Sequence, residues 1–171
     1  IKDPYIKISI YEEKENIKLI PIEGDPFDRC VVTAYLEACP KSKKVVILTG
    51  HYDVVDVEEY GQLQEMAYNV EEITKCINQM PLDEDSKKDF ESGEWIFGRG
   101  TADMKFGHAM CLELLRHFSE EGGINGNILY TAVAGEETNS EGMLRAVPFF
   151  NEFAKEKGIE YKPEINPNQF S

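Results

Sequence analysis

The 171-residue chain is expected to fold as an α/β domain, a three-layer αβα sandwich around a mixed, largely parallel sheet, and three features predict this. Val45-Val46-Ile47-Leu48, within residues 44–49, is an unbroken apolar run of the kind a central strand covered on both faces needs. Residues 127–134 form a second such run. Between and after them, residues 104–118 and 140–158 carry apolar side chains at helical spacing, so that strands alternate with helices.

In chain order, the N-terminal third reads as short strands at 6–11, 17–22 and 30–36, separated by polar turns such as Glu23-Gly24-Asp25-Pro26. Antiparallel edge strands fit this pattern best. The run at 44–49 ends at Gly50, just before His51. From 60 to 80, Leu63, Met66, Ala67, Val70, Ile73, Ile77 and Met80 recur at three and four, which predicts one helix with a core-facing side. Residues 81–94 are charged, carry Pro81 and Gly93 as breakers, and read as a loop. Trp95-Ile96-Phe97 leads into a Gly98-Arg99-Gly100 turn. The helix over 104–118 is expected to bury Met110, Leu114, Leu115 and Phe118 and to stop at Gly122-Gly123. Asp103 would sit in its first turn, facing unpaired helix N–H groups that keep it ionised. The helix over 140–158 should kink or divide at Pro148, and the Pro163 and Pro167 spacing favours extended chain from 161.

Composition narrows the function classes. A chain of this length buries a core without disulfides or structural metal, so any metal is expected to serve chemistry. Cys30, Cys39, Cys76 and Cys111 are far apart, and neither a signal peptide nor an apolar span of ~20 residues is visible, which predicts a reduced, cytoplasmic protein. A formal net charge of -14 disfavours nucleic acid and anionic membranes as partners. Residues 56–94 hold twelve Asp or Glu against three Lys, which reads as a solvated acidic insertion; recruitment of a cationic substrate is the sharper alternative.

Three short segments carry the chemistry: His51-Tyr52-Asp53, the stretch from Gly98 to Lys105 that includes Asp103, and Gly135-Glu136-Glu137. They put one imidazole and four carboxylates just past strand ends or glycine turns, where open α/β sheets collect ligands. Each alone has an ordinary explanation: a packed histidine, a first-turn aspartate, a glutamate pair at a helix start. Together they form the donor set of a two-metal hydrolase, in which a carboxylate fixes a histidine tautomer, an anion bridges two ions and a glutamate takes a proton from water. His108 and His117 lie on the following helix, and His108 shares a face with Cys111, but packing or solvent is expected for both rather than ligation.

The motifs Gly50-His51-Tyr52-Asp53-Val54-Val55, Gly98-Arg99-Gly100-Thr101-Ala102-Asp103-Met104-Lys105 and Gly135-Glu136-Glu137 resemble, in order and context, those of the zinc-dependent exopeptidases and amidohydrolases of the M20 family. The resemblance covers roughly residues 30–147. It implies that His51 binds one zinc, Asp103 bridges two and Glu137 binds the other, with Glu136 as general base and Asp53 holding the His51 imidazole. It further implies an amide or peptide substrate with a free carboxylate, and a homodimeric full-length protein. Cobalt and manganese suit the same donors. The long separation from His51 to Asp103 and Phe106, where the family commonly has glycine, depart from the pattern. The acidic insertion and the Ile20-Pro21-Ile22-Glu23-Gly24-Asp25-Pro26-Phe27 segment look like a branch concerned with arginine utilization. The family's later carboxylate, late histidine and dimerisation domain are not matched; Glu164 is nearest in spacing to the carboxylate but lies in no ligand motif. Residues 1–171 are therefore expected to be a single domain, the N-terminal portion of an incomplete catalytic domain, of low activity by itself. The rival reading is a non-catalytic binding or regulatory module, against which the presence of Glu136 speaks.

Overall fold

The structure, a computed structural model, describes residues 16–159. The strands are β1 (Ile17–Pro21), β2 (Cys30–Leu36), β3 (Val45–His51) and β4 (Asn127–Val133), ordered β1-β2-β4-β3 in one sheet. β1 and β2 are antiparallel with Ile17 opposite Ala34, and β2 and β4 are antiparallel with Val32 opposite Ala132. β3 runs parallel to β4, placing His51 opposite Val133, so the sheet is mixed as expected. The strands expected at 17–22 and 30–36 are found there; the segments at 6–11 and beyond 160 lie outside the described residues.

Side-chain alternation builds the two outer layers. On one face, Val31, Tyr35, Leu129 and Val133 pack beneath α4 (Glu141–Lys157), which supplies Ala146, Phe153 and Ala154. On the other, Ile128, Tyr130 and Ala132 meet Leu115 of α3 (Gly107–Glu121). All seven β4 residues are buried, which explains the unbroken apolar run. Asn127 begins that strand fully satisfied: its amide donates to the Ser42 and Lys44 carbonyls, and its oxygen accepts from Ala38 N–H. α4 passes through Pro148 as one helix.

The inserted segment departs from expectation twice. The helix expected over 60–80 is broken into a 3-10 stretch (Glu58–Met66) interrupted at Gly61, then α1 (Val70–Cys76) and a 3-10 turn (Ile77–Gln79). Local capping overrides the apolar period: the Asn69 side chain accepts from Glu72 N–H and starts a new helix. The loop expected at 81–94 contains α2 (Glu84–Ser92), begun by Asp83 accepting from Ser86 N–H and ended by left-handed Gly93. Leu63, Ile73 and Ile77 make a small core of their own, closed by Phe90 and Phe97.

α3 starts at Gly107, later than expected, after a distorted turn (Thr101–Phe106) in which Asp103 is extended at φ -111. Met110 and Leu114, expected inside, are exposed. The helical period allowed two stripes, and the one that faces the sheet runs through His108, Cys111, Leu115 and Phe118.

Candidate metal centre

β3 delivers His51 at its last residue, beside the end of β4. Gly50 leaves room there for the Met104 side chain, which an added Cβ would displace and whose sulfur accepts the His51 N–H at 3.2 Å. The His51 residue is 6% exposed. Its Nδ1 lies 3.0 Å from the Asp53 main-chain carbonyl, which can only accept, so Nδ1 carries a proton and in the neutral ring Nε2 is the nitrogen with a lone pair for a metal.

The Gly98-Arg99-Gly100 turn presents Asp103. Gly100 is left-handed at φ 77, and a side chain there would run into Val54. The turn is anchored to the insertion: Arg99 N–H donates to the Ala67 carbonyl at 2.8 Å, and the guanidinium meets Glu59 at 3.0 Å while lying over the Tyr60 ring. Phe97 and Thr74 exchange hydrogen bonds beside it. Asp103 caps no helix, contrary to its expected first-turn role; its Oδ1 lies 2.8 Å from His51 Nε2. The extended backbone at Asp103 swings the carboxylate away from the helix axis and toward β3.

Glu136 and Glu137 follow Gly135 in a turn closed by Ser140 and Thr138 N–H groups on the Gly135 carbonyl. Asp53 holds this turn: its carboxylate accepts from Glu136 N–H at 3.3 Å and Glu137 N–H at 3.1 Å. Its oxygen is 3.8 Å from His51 Nδ1, so Asp53 orients the imidazole through its carbonyl and the acidic loop through its side chain. One residue thus does two positioning jobs where the sequence pointed to one.

Ligand atoms of His51, Asp103 and Glu137 all lie within 4.8 Å of one another, and Glu136 comes within 3.9 Å of His51 Nε2. Two carboxylates and a neutral imidazole nitrogen, converging at the end of a parallel strand pair, fit a divalent ion. Burial opposes protonation of His51, but the Asp53 carbonyl and the Asp103 and Glu136 carboxylates outweigh it and hold the ring above its ordinary 6.5.

Two residues behind the site were not singled out as functional. His108 is buried, with Nε2 2.7 Å from the His51 carbonyl and Nδ1 2.7 Å from the Tyr130 hydroxyl. Burial pushes His108 below 6.5 and Tyr130 up to about 12. The sequence signal was a histidine on the sheet-facing stripe of α3; its partners come from two strands and are invisible locally. His117 is exposed and plays no part in the cluster, and Glu164 lies outside the described residues.

Residues 47–165 match Peptidase family M20/M25/M40. The chain is 36% identical over 146 residues to Protein RocB of Bacillus subtilis (strain 168), covering 85% of this chain and 26% of that protein. It is 42% identical over 126 residues to Uncharacterized protein YqjN of the same organism, covering 72% of this chain and 23% of that protein. The chain therefore spans about a quarter of the length of these curated relatives. A structure of the di-peptidase Dug1p from Saccharomyces cerevisiae superposes with a TM-score of 0.50 at 20% identity, over 85% of this chain and 28% of that one, and shares the fold.

Proposed function

The chain belongs to peptidase family M20/M25/M40, and from that premise we propose that its full-length protein is a metal-dependent hydrolase of an amide or peptide bond beside a free carboxylate. The observation that carries this reading is the convergence of His51, Asp103 and Glu137 within 4.8 Å, with Glu136 alongside. His51 and Glu137 would each hold one of two zinc ions and Asp103 would bridge them. Cobalt or manganese fits the same donors. Bound ions would polarise the scissile carbonyl and lower the pKa of a water.

This chain's residues do the rest. Glu136, more than half exposed, reaches solvent and takes the proton from the attacking water, then returns it to the leaving amine. Asp53 keeps Glu136 and Glu137 in place through their N–H groups, and its carbonyl holds the Nδ1 proton so that in the neutral ring His51 Nε2 offers the lone pair. Among the described residues three ligands converge, fewer than two catalytic ions need, so the remainder would come from outside residues 16–159.

The finer proposals are a substrate related to arginine within arginine degradation, a homodimeric full-length protein and a cytoplasmic setting. The excess negative charge of residues 56–94 favours a cationic substrate, and four free cysteines fit a reducing setting. Among the described residues no helix is long and apolar enough to cross a membrane.

Replacing Glu136→Gln in the zinc-loaded full-length protein tests the reading. Hydrolysis of dipeptides and N-acyl amino acids should fall by about 10²–10⁴-fold while zinc stays bound. Unchanged hydrolysis would remove Glu136 as the base, and absence of hydrolysis in the parent protein would favour a non-catalytic binding module.

A further inference from the structure

We propose that Tyr130 and His108 form a buried positioning relay that holds the His51 main chain, and with it the metal-binding nitrogen, in register with Asp103. The inference rests on the metal-site reading above and adds two residues to it.

The relay lies in the apolar layer between α3 and the sheet, among Leu115, Ile128 and Ala132. His108 is 9% exposed and Tyr130 4%. An imidazole and a phenol in such a layer are destabilising unless their polar atoms are bonded, and all three are. The His51 carbonyl can only accept, so His108 Nε2 must carry the proton and donate across 2.7 Å. In the neutral ring Nδ1 is then a lone pair, and the Tyr130 hydroxyl, 2.7 Å away, must donate to it. The chain of donors has one sense only: Tyr130 to His108 to the His51 carbonyl.

His51 is thereby fixed at three points. Its N–H meets the Met104 sulfur, its carbonyl receives His108, and its Nδ1 meets the Asp53 carbonyl. Nε2 is the ring nitrogen left to face Asp103. His108 follows Asp103 by five residues, at the start of α3, whereas His51 ends β3. A single hydrogen bond from helix start to strand end therefore links the segments bearing two of the three ligands, and Tyr130 ties that bond to the centre of β4. Nothing in either residue reaches the cluster itself, so both act through His51.

The test measures zinc affinity of the full-length protein by competition with a chromophoric chelator, and the visible spectrum of its cobalt-substituted form. His108→Leu should weaken zinc binding about 10–100-fold, the usual cost of losing a partner behind a metal ligand, and shift the cobalt bands. His108→Gln, whose amide can donate to the same carbonyl, should regain most of that affinity. Tyr130→Phe should weaken binding several-fold with the fold retained. Parent-like zinc affinity in His108→Leu, or no recovery in His108→Gln, would overturn the relay while leaving the metal site standing. Should His108→Leu fail to fold in a thermal melt, parent-like affinity and cobalt bands in Tyr130→Phe would overturn it equally. A parent protein that binds no zinc overturns the metal-site reading, and the relay with it.

Discussion

His51 and Asp103 meet at 2.8 Å, yet they are held by opposite means. The His51 side chain is 7% exposed, and its main-chain N–H and carbonyl and its ring Nδ1 are all bonded to groups of the core behind it. The Asp103 side chain is 76% exposed and that of Glu136 57%; both are carried on turns rather than packed. One side of the site is a buried donor, and the other is a set of exposed carboxylates whose mutual repulsion a cation would relieve. The rigid side is built by the core of the sheet, and the acidic side by backbone turns hung from Asp53 and the insertion.

That contrast can be broken most severely at the proposed ligands. His51→Ala in the full-length protein should weaken zinc binding by more than about 100-fold, beyond the range for partners behind a ligand, as read by chelator competition. Asp53→Ala, which releases both glutamate N–H groups, should cost about 10–100-fold, and Asp53→Asn less because one acceptor oxygen remains. Equal losses in the two Asp53 variants would show that the carboxylate charge, not its hydrogen bonds, holds the acidic loop.

Histidine titration sharpens the same contrast. His51 is raised above 6.5, so in the metal-free protein its stabilising contribution is complete below pH 6.5 and is lost as pH rises through its folded value. His108 is lowered, so its contribution is complete above pH 6.5 and is lost as pH falls through its folded value. Proton NMR should resolve two ring titrations displaced in opposite directions, with zinc affinity rising over the His51 window. Coincident midpoints would erase the distinction. The smallest effect should come from Arg99→Ala, which cuts the insertion's ion pair and ring contact beneath the acidic turn. It should cost less than about 2 kcal/mol in a denaturant titration.

Legibility in the sequence followed the range of the forces involved. The strand at 30–36 was read to the residue because alternation along β2 is a local pattern. The apolar period predicts one helix at 60–80, but Asn69 caps a new start in the middle of it, and the charge of residues 84–92 hides a helix that the Asp83 cap and the Gly93 stop define. Met110 and Leu114 are exposed although apolar, because a helix period identifies stripes without saying which one a sheet will cover.

His51, Asp103, Glu136 and Glu137 were named by residue type, order and position after strands and glycines, all of which are written in the chain. Their roles were not equally legible. Asp53 turns its carbonyl to the ring and its carboxylate to a loop 83 residues away, and His108 and Tyr130 meet behind His51 from a helix and a strand. Sequence by itself determined the candidate donor set and the strand ends and glycine turns that carry it, since both depend on neighbouring residues. Which atom each residue presents, and to whom, was decided only by the tertiary structure, because a hydrogen bond forms where distant segments bring donor and acceptor within about 3 Å.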